Sequence, residues 1–245
     1  MRPSRFFLAA ALVVFSAFPA DLPAENLPEI RPALIGSGPG SLVNVIDTQA
    51  LFQKGQRDAW VMFECGVAGD GIAFGSDFFT ASPNSDLLKN EVRRRLRQTR
   101  FIPAVYNHKR TSAWFAGTVV FVVANGQPRL RVYANQDFDD IKRGADFVAP
   151  QLIDVPNHYL SDLPHYPSVA THDEAAGVVK LRHSVDANGK TTDLQVISER
   201  PAGYQFGDYL KKVVPLLDFS PGYRNGRPTA STYTLTWWFG RTVRW

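Results

Sequence analysis

Slid along itself by 118 positions, this sequence lands on its own pattern, which limits the fold more than any other feature. Phe101-Ile102-Pro103 falls on Phe219-Ser220-Pro221 (219 − 101 = 118), and Trp60–Phe121 then lies over Val178–Phe239 without a gap. Identical pairs include Val61 and Val179, Val67 and Val185, Gly71 and Gly189, Pro83 and Pro201, Asn107 and Asn225, and Thr118 and Thr236. Identity is sparse, but phase is shared. Leu88, Val92 and Leu96 fall on Phe206, Leu210 and Val214, so two apolar helical stripes of one spacing coincide. Asp70-Gly71 falls on Asn188-Gly189, a pair suited to a tight hairpin turn. The expectation is two copies of one unit, the first more diverged.

Each copy reads as strand, hairpin, strand, helix, strand. In the second, Val179, Leu181 and Val185 alternate with Val178, Lys180 and Arg182, the period of two of a half-buried strand. A second strand follows from Asp193 to Ser198, and Pro201 and Gly203 break the pattern before the helix. Pro215 should end or kink that helix early, because it has no amide to donate. Thr229 to Phe239 completes the unit as a third strand. The first copy's helix, Asp86 to Arg100, has no internal proline. That copy is also longer. Gly117 to Val123, the Asn125-Gly126 turn and Leu130 to Tyr133 predict a fourth strand covering its third.

The second copy resembles the C-terminal domain of the TonB energy-transducer family. The resemblance rests on Tyr166-Pro167 ahead of a short helix, Gly177-Val178-Val179, Val185-Asp186, Gly189-Lys190 and Val196-Ile197. It continues through Pro201, Phe219-Ser220-Pro221 and Gly226-Arg227-Pro228. It implies an α+β fold: two TonB-C-like units, each a small antiparallel sheet packed against one or two helices. It also implies a partner, the N-terminal segment of an outer-membrane receptor, which adds as a strand beside the third strand.

Met1 to Ala20 carries Arg2 and Arg5, an apolar run from Phe6 to Phe18, then Pro19-Ala20, the layout of a secretory signal peptide. The alternative is an uncleaved anchor in the inner membrane, although the run is short of the roughly 20 residues a span needs. The division expected is signal 1–20, extended Pro/Gly/Ser-rich lead-in 21–45, first unit 46–136, linker 137–163 with a helix over Phe138 to Phe147, and second unit 164–245. The net charge of +4 does not point to nucleic acid. Family energy transducers carry a long Pro-rich spacer, which this sequence lacks.

Chemistry is thin. No nucleophile elbow, phosphate loop, dinucleotide fingerprint or paired-His motif is present, so neither an enzyme, a cofactor nor a metal is expected. His158, Asp162, His165, His172 and Asp173 cluster in sequence without a zinc spacing. Cys65, the single cysteine, excludes an intramolecular disulfide and shares the inward phase of Val61, Phe63 and Val67. His183 falls on Cys65 and is expected as a hydrogen-bonded core residue. Arg93, Arg94, Arg95, Arg97 and Arg100 make a basic helix side that reads as solvated.

These readings converge on a periplasmic binding module linked to transmembrane transport, recognising an extended peptide by strand addition. A membrane-anchored energy transducer is the alternative. The edge would be Thr229, Ser231, Thr232, Tyr233, Thr234, Leu235, Thr236, Trp237 and Trp238, supported by the family motif residues Tyr166, Pro167, Gly189, Phe219 and Pro221. Trp238 should face opposite Trp237 and Phe239. The partner is an outer-membrane receptor or other envelope-protein segment, and the same edge chemistry would serve a homodimer.

Overall fold

Alternating strands rather than helices carry the fold. The computed structural model describes residues 26–142, 144, 146–154, 167–173 and 175–240. The signal segment, Tyr166, most of the region around His158, Asp162 and His165, and the last five residues lie outside them.

The first unit begins with β1 (Ile30–Arg31), β2 (Leu34–Ile35), α1 (Leu42–Val45) and α2 (Thr48–Gln53). It continues with β3 (Ala59–Val67), β4 (Ala73–Ala81), α3 (Asp86–Leu96), β5 (Phe101–Ile102), β6 (Ala104–Tyr106), β7 (Lys109–Ala124) and β8 (Gln127–Tyr133). After α4 (Phe138–Lys142) come β9 (Phe147–Val148) and β10 (Gln151–Asp154). The second unit adds α5 (Ser168–His172), β11 (Gly177–Val185), β12 (Thr191–Arg200) and α6 (Phe206–Val213). It ends with β13 (Phe219–Ser220), β14 (Gly222–Arg224), β15 (Arg227–Thr229) and β16 (Ser231–Phe239).

Register ties the two units together. β3 pairs antiparallel with β7 from Ala59 opposite Phe121 to Val67 opposite Ala113. β11 pairs with β16 from Gly177 opposite Phe239 to Val185 opposite Ser231. Adding 118 to both members of each first-unit pair gives the second-unit pair. The outer hairpins follow the same rule: Val61 opposite Ala81 becomes Val179 opposite Glu199, and Val67 opposite Ala73 becomes Val185 opposite Thr191. A one-residue slip would turn every core side chain outward, so this shared register also preserves both cores.

The cores match accordingly. Leu88, Val92 and Leu96 of α3 bury against Phe63, Phe115 and Phe121, while Phe206, Leu210 and Val214 bury against Val179, Leu181 and Phe219. Of the Asn188-Gly189 pair only Gly189 takes a positive φ, 85°. Asp186 closes that loop by accepting from the amides of Asn188 and Lys190, both at 2.8 Å. A Cβ on Gly189 would strike the Phe219 carbonyl oxygen, and one on Gly71 would strike that of Phe101. Both positions therefore demand glycine twice over, for φ and for space. Pro215 acts as expected: α6 stops at Val213 and tightens into a 3-10 turn over Val214–Leu216. α3 ends at Leu96, before Arg100, and the helix expected over Phe138 to Phe147 stops at Lys142.

The lead-in and the linker need correction. Residues 30–35 are not a loose lead-in: Arg31 pairs with Val105 and Ile35 with Phe101. Residues 147–152 of the expected linker do the same for the second unit, Val148 with Tyr223 and Leu152 with Phe219. Each unit thus takes its opening strands from the stretch ahead of it. β10 goes further and serves both units. Its Gln151 and Leu152 pair with β13, while Ile153 and Asp154 pair with Ala113 and Ser112 of β7.

Side chains reinforce this junction. The Gln151 amide accepts from the Ala33 N–H at 2.7 Å and donates to the Ala33 carbonyl at 2.9 Å, standing in for a strand neighbour. The Tyr223 hydroxyl donates to the Ile30 carbonyl, and the Tyr106 hydroxyl to the Asp218 carboxylate, each at 2.8 Å. Such buried or half-buried bonds across a junction are costly to break, since each leaves a polar group unsatisfied.

Candidate functional site

β16 is the last strand of the sheet ordered β12-β11-β16, and among the described residues it pairs with β11 alone. Its first-unit counterpart, β7, is not free. β8 pairs with it from Thr118 opposite Tyr133 to Ala124 opposite Gln127, and β10 takes Ser112 and Ala113. The predicted fourth strand therefore covers the first edge and leaves the second open.

Most of the expected edge residues lie where strand alternation puts them. Tyr233 and Leu235 are buried, Ser231, Thr236 and Trp237 half-buried, and Thr232, Thr234 and Trp238 exposed. Trp238, 56% exposed, faces away from the buried Phe239. Thr229 is the exception. It pairs with Gly222 in the β14-β15 hairpin, and the chain breaks at Ala230 before the edge strand begins.

The motif residues support this edge from beneath. Pro167 opens α5, and Pro221 separates β13 from β14. Phe219 is buried, with its ring 6.2 Å from that of Tyr233 and 4.9 Å from that of His183. His183 lies in the core, but neither ring nitrogen makes a well-formed hydrogen bond among the described residues, contrary to expectation. Burial, only partly offset by the Ser184 backbone, pushes its pKa down to about 4, so it is neutral at physiological pH.

The free edge opens into a cleft rather than into bulk solvent. The opposite wall is the sheet face of the first unit that points away from α3. Two adjoining cavities of about 320 and 270 Å³ lie between them. Glu64, Phe79, Tyr233 and Thr236 line both. Glu64 pairs across strands with Asp77, and both carboxylates face the second cavity. Burial, then Asp77, pushes the Glu64 pKa up to about 7. Across the cleft, burial and then the Glu64 charge push the Tyr233 hydroxyl well above its usual value.

This wall was missed in the sequence. Glu64 is the one charged residue of the apolar strand AWVMFECGV, which is a readable signal. Its position opposite β16, however, depends on how the units dock. The remaining candidates find quieter places. Cys65 is buried and burial raises its thiol pKa, which keeps it protonated. Glu91 pairs with Arg94 at 2.7 Å and Arg95 at 2.8 Å, and Arg93 stacks over Phe78, so the basic side is partly neutralised in place. His172 ends α5, and Asp173 follows it.

Residues 162–240 match the family model of the Gram-negative bacterial TonB protein C-terminal. The match spans α5 through β16, so the open edge lies within the matched segment. No curated protein matches the chain. The first unit lies outside the match, although its strand register follows that of the matched unit pair for pair.

Proposed function

We propose that this chain is a non-enzymatic periplasmic binding protein that holds an extended peptide beside β16, in the cleft between its two units. The peptide would be a segment of an outer-membrane receptor or another envelope protein, and the activity would serve transport across the outer membrane. The first unit is a diverged TonB-C-like domain whose own edge was closed by β8 and which now supplies the facing wall. One observation carries this reading: the unit that matches the TonB C-terminal model keeps a nine-residue strand whose edge is unpaired among the described residues. Unpaired amides and carbonyls along such a strand are a template for a further strand.

Proline substitution tests it, because a proline removes one donor and leaves the side-chain face nearly intact. Tyr233 is unsuitable, since losing its buried ring would confound the result. Thr236 and Trp237 are half-buried neighbours, and only one of their amides faces outward. Thr236→Pro and Trp237→Pro would be made in the full chain, with Trp237→Ala as the control for the lost indole, and checked for folding by circular dichroism. They would then be titrated with peptides from the N-terminal segments of outer-membrane receptors. The variant that folds like the parent is the one with the outward amide, and it should lose at least about 100-fold in affinity, the cost of a few lost main-chain bonds. Undiminished binding by that variant, or no binding by the parent, defeats the reading.

A further inference from the structure

The second cavity has a composition that a bare strand edge does not require. Phe79 and Trp114 of the first unit and Trp237 and Trp238 of the second supply aromatic surface. Glu64 and Asp77 supply two carboxylates set side by side on neighbouring strands. Like charges directly opposite one another destabilise a sheet. Among the described residues, no hydrogen bond or ion pair reaches the Glu64 carboxylate, although the residue is half-buried in the sheet. It lines the second cavity together with Tyr233, Leu235 and Trp237 of β16. A half-buried carboxylate without a basic partner, beside aromatic rings, is the complement of a cation, which gains from both the charge and the ring faces.

We infer that this cavity is a selectivity pocket for a basic side chain, arginine or lysine, projecting from a peptide strand beside residues 235–237 of β16. The inference rests on the strand-addition reading above and names the chemistry that reading leaves open. The cleft fits a side chain better than a small inorganic cation, because four aromatic groups would be idle around an ion and would pack against an aliphatic stem. The other charged groups near Glu64 do not compensate it. Asp77 and Asp137 carry the same sign, and Lys180, which shares the first cavity with Glu64 from the opposite wall, forms no ion pair with it.

The test uses the full chain and two matched pairs of probes. One pair is N-acetyl-arginine methylamide and its neutral citrulline analogue, read by the fluorescence of the wall tryptophans. The other is a nine-residue receptor-segment peptide with arginine, and the same peptide with citrulline, at the position facing residues 235–237. The parent should prefer arginine at least tenfold in both pairs. Glu64→Gln should abolish the preference, so that arginine and citrulline bind alike. The parent's preference should also fade as pH falls from 8 to 5.5, because the carboxylate that draws the cation becomes protonated. This second readout stands even if the variant is poorly folded.

The outcomes separate the two readings. Equal binding of the peptide pair overturns charge selection and leaves strand addition standing. A preference that survives in Glu64→Gln also overturns it. Arginine selectivity in the small probes with no peptide binding at all overturns strand addition and keeps the charged pocket. No selectivity in either pair overturns the pocket outright.

Discussion

The two units share a register and differ in what happens to one strand. In the first, β7 runs sixteen residues, turns at Asn125-Gly126 and is covered by β8; in the second, β16 runs nine and is uncovered among the described residues. The core positions tell a parallel story. Cys65 and His183 occupy the same inward place on β3 and β11, one a small sulfur-bearing group and the other a ring wedged between Phe219 and Tyr233. Glu64 and Arg182 are likewise equivalent on the opposite faces of those strands, with opposite sign. Two stretches with one strand register thus differ by one added hairpin and by the residues at single equivalent positions. The difference lies in edges and charges, not in the packing stripe.

The largest effect should come from that stripe. Leu210→Ala should cost about 2–5 kcal/mol, the usual range for a buried leucine, and Val92→Ala at the matching place in α3 somewhat less. Because β10 is paired with both units, both substitutions should lower one shared thermal transition. Two separate transitions in calorimetry would break the comparison by showing that each unit melts alone.

A second test sets His183 against Glu64. His183 is neutral in the fold down to about pH 4, while in the unfolded chain it gains a proton below about 6.5. Its contribution is therefore lost as pH falls from 6.5 toward 4. Glu64 behaves in the opposite sense. The fold holds its proton up to about pH 7 while the unfolded chain releases it near 4.5, so stability is lost as pH rises through that window. Each effect is on the order of 3 kcal/mol when complete, and smaller for Glu64, which keeps some contact with water. In the parent the two slopes oppose one another between pH 4.5 and 6.5. His183→Leu should expose the falling slope and Glu64→Gln the rising one in denaturant melts. Identical pH profiles for both variants would show that one of the two groups is not held as described.

The smallest effect sharpens the contrast from the surface side. Arg94→Ala removes an exposed partner of Glu91 and should change stability by less than about 0.5 kcal/mol. A loss comparable to that of Leu210→Ala would mean that α3 presents a different face to the core.

How much of this could be read in the sequence depended on length and distance. The stripe of Leu88, Val92 and Leu96, the alternation around Val179 and the covering strand near Leu130 were legible because each repeats several times within a few turns or pleats. The opening strands were not. IRPALI and its equivalent FVAPQL each contain a proline and pair through two residues at a time, too few for a period to show. The TonB-C edge was legible through the resemblance, but Thr229 was placed one hairpin too far along. The facing wall was beyond reach. Glu64 and Tyr233 are separated by nearly the whole span between the two units, and only the docking of one sheet against the other brings them together.

β10 has a mechanical consequence. Its four residues are hydrogen-bonded to the second unit at one end and to the first at the other, so the cleft has a fixed gauge. Widening it means peeling β10 from β13 or from β7, one rung after another. A load applied along a strand held beside β16 is shared by many rungs at once and passes through β11 into the rest of the sheet. A load that pries the walls apart falls on the few rungs of β10. If the cleft opens, it opens first at the strip that spaces its two halves.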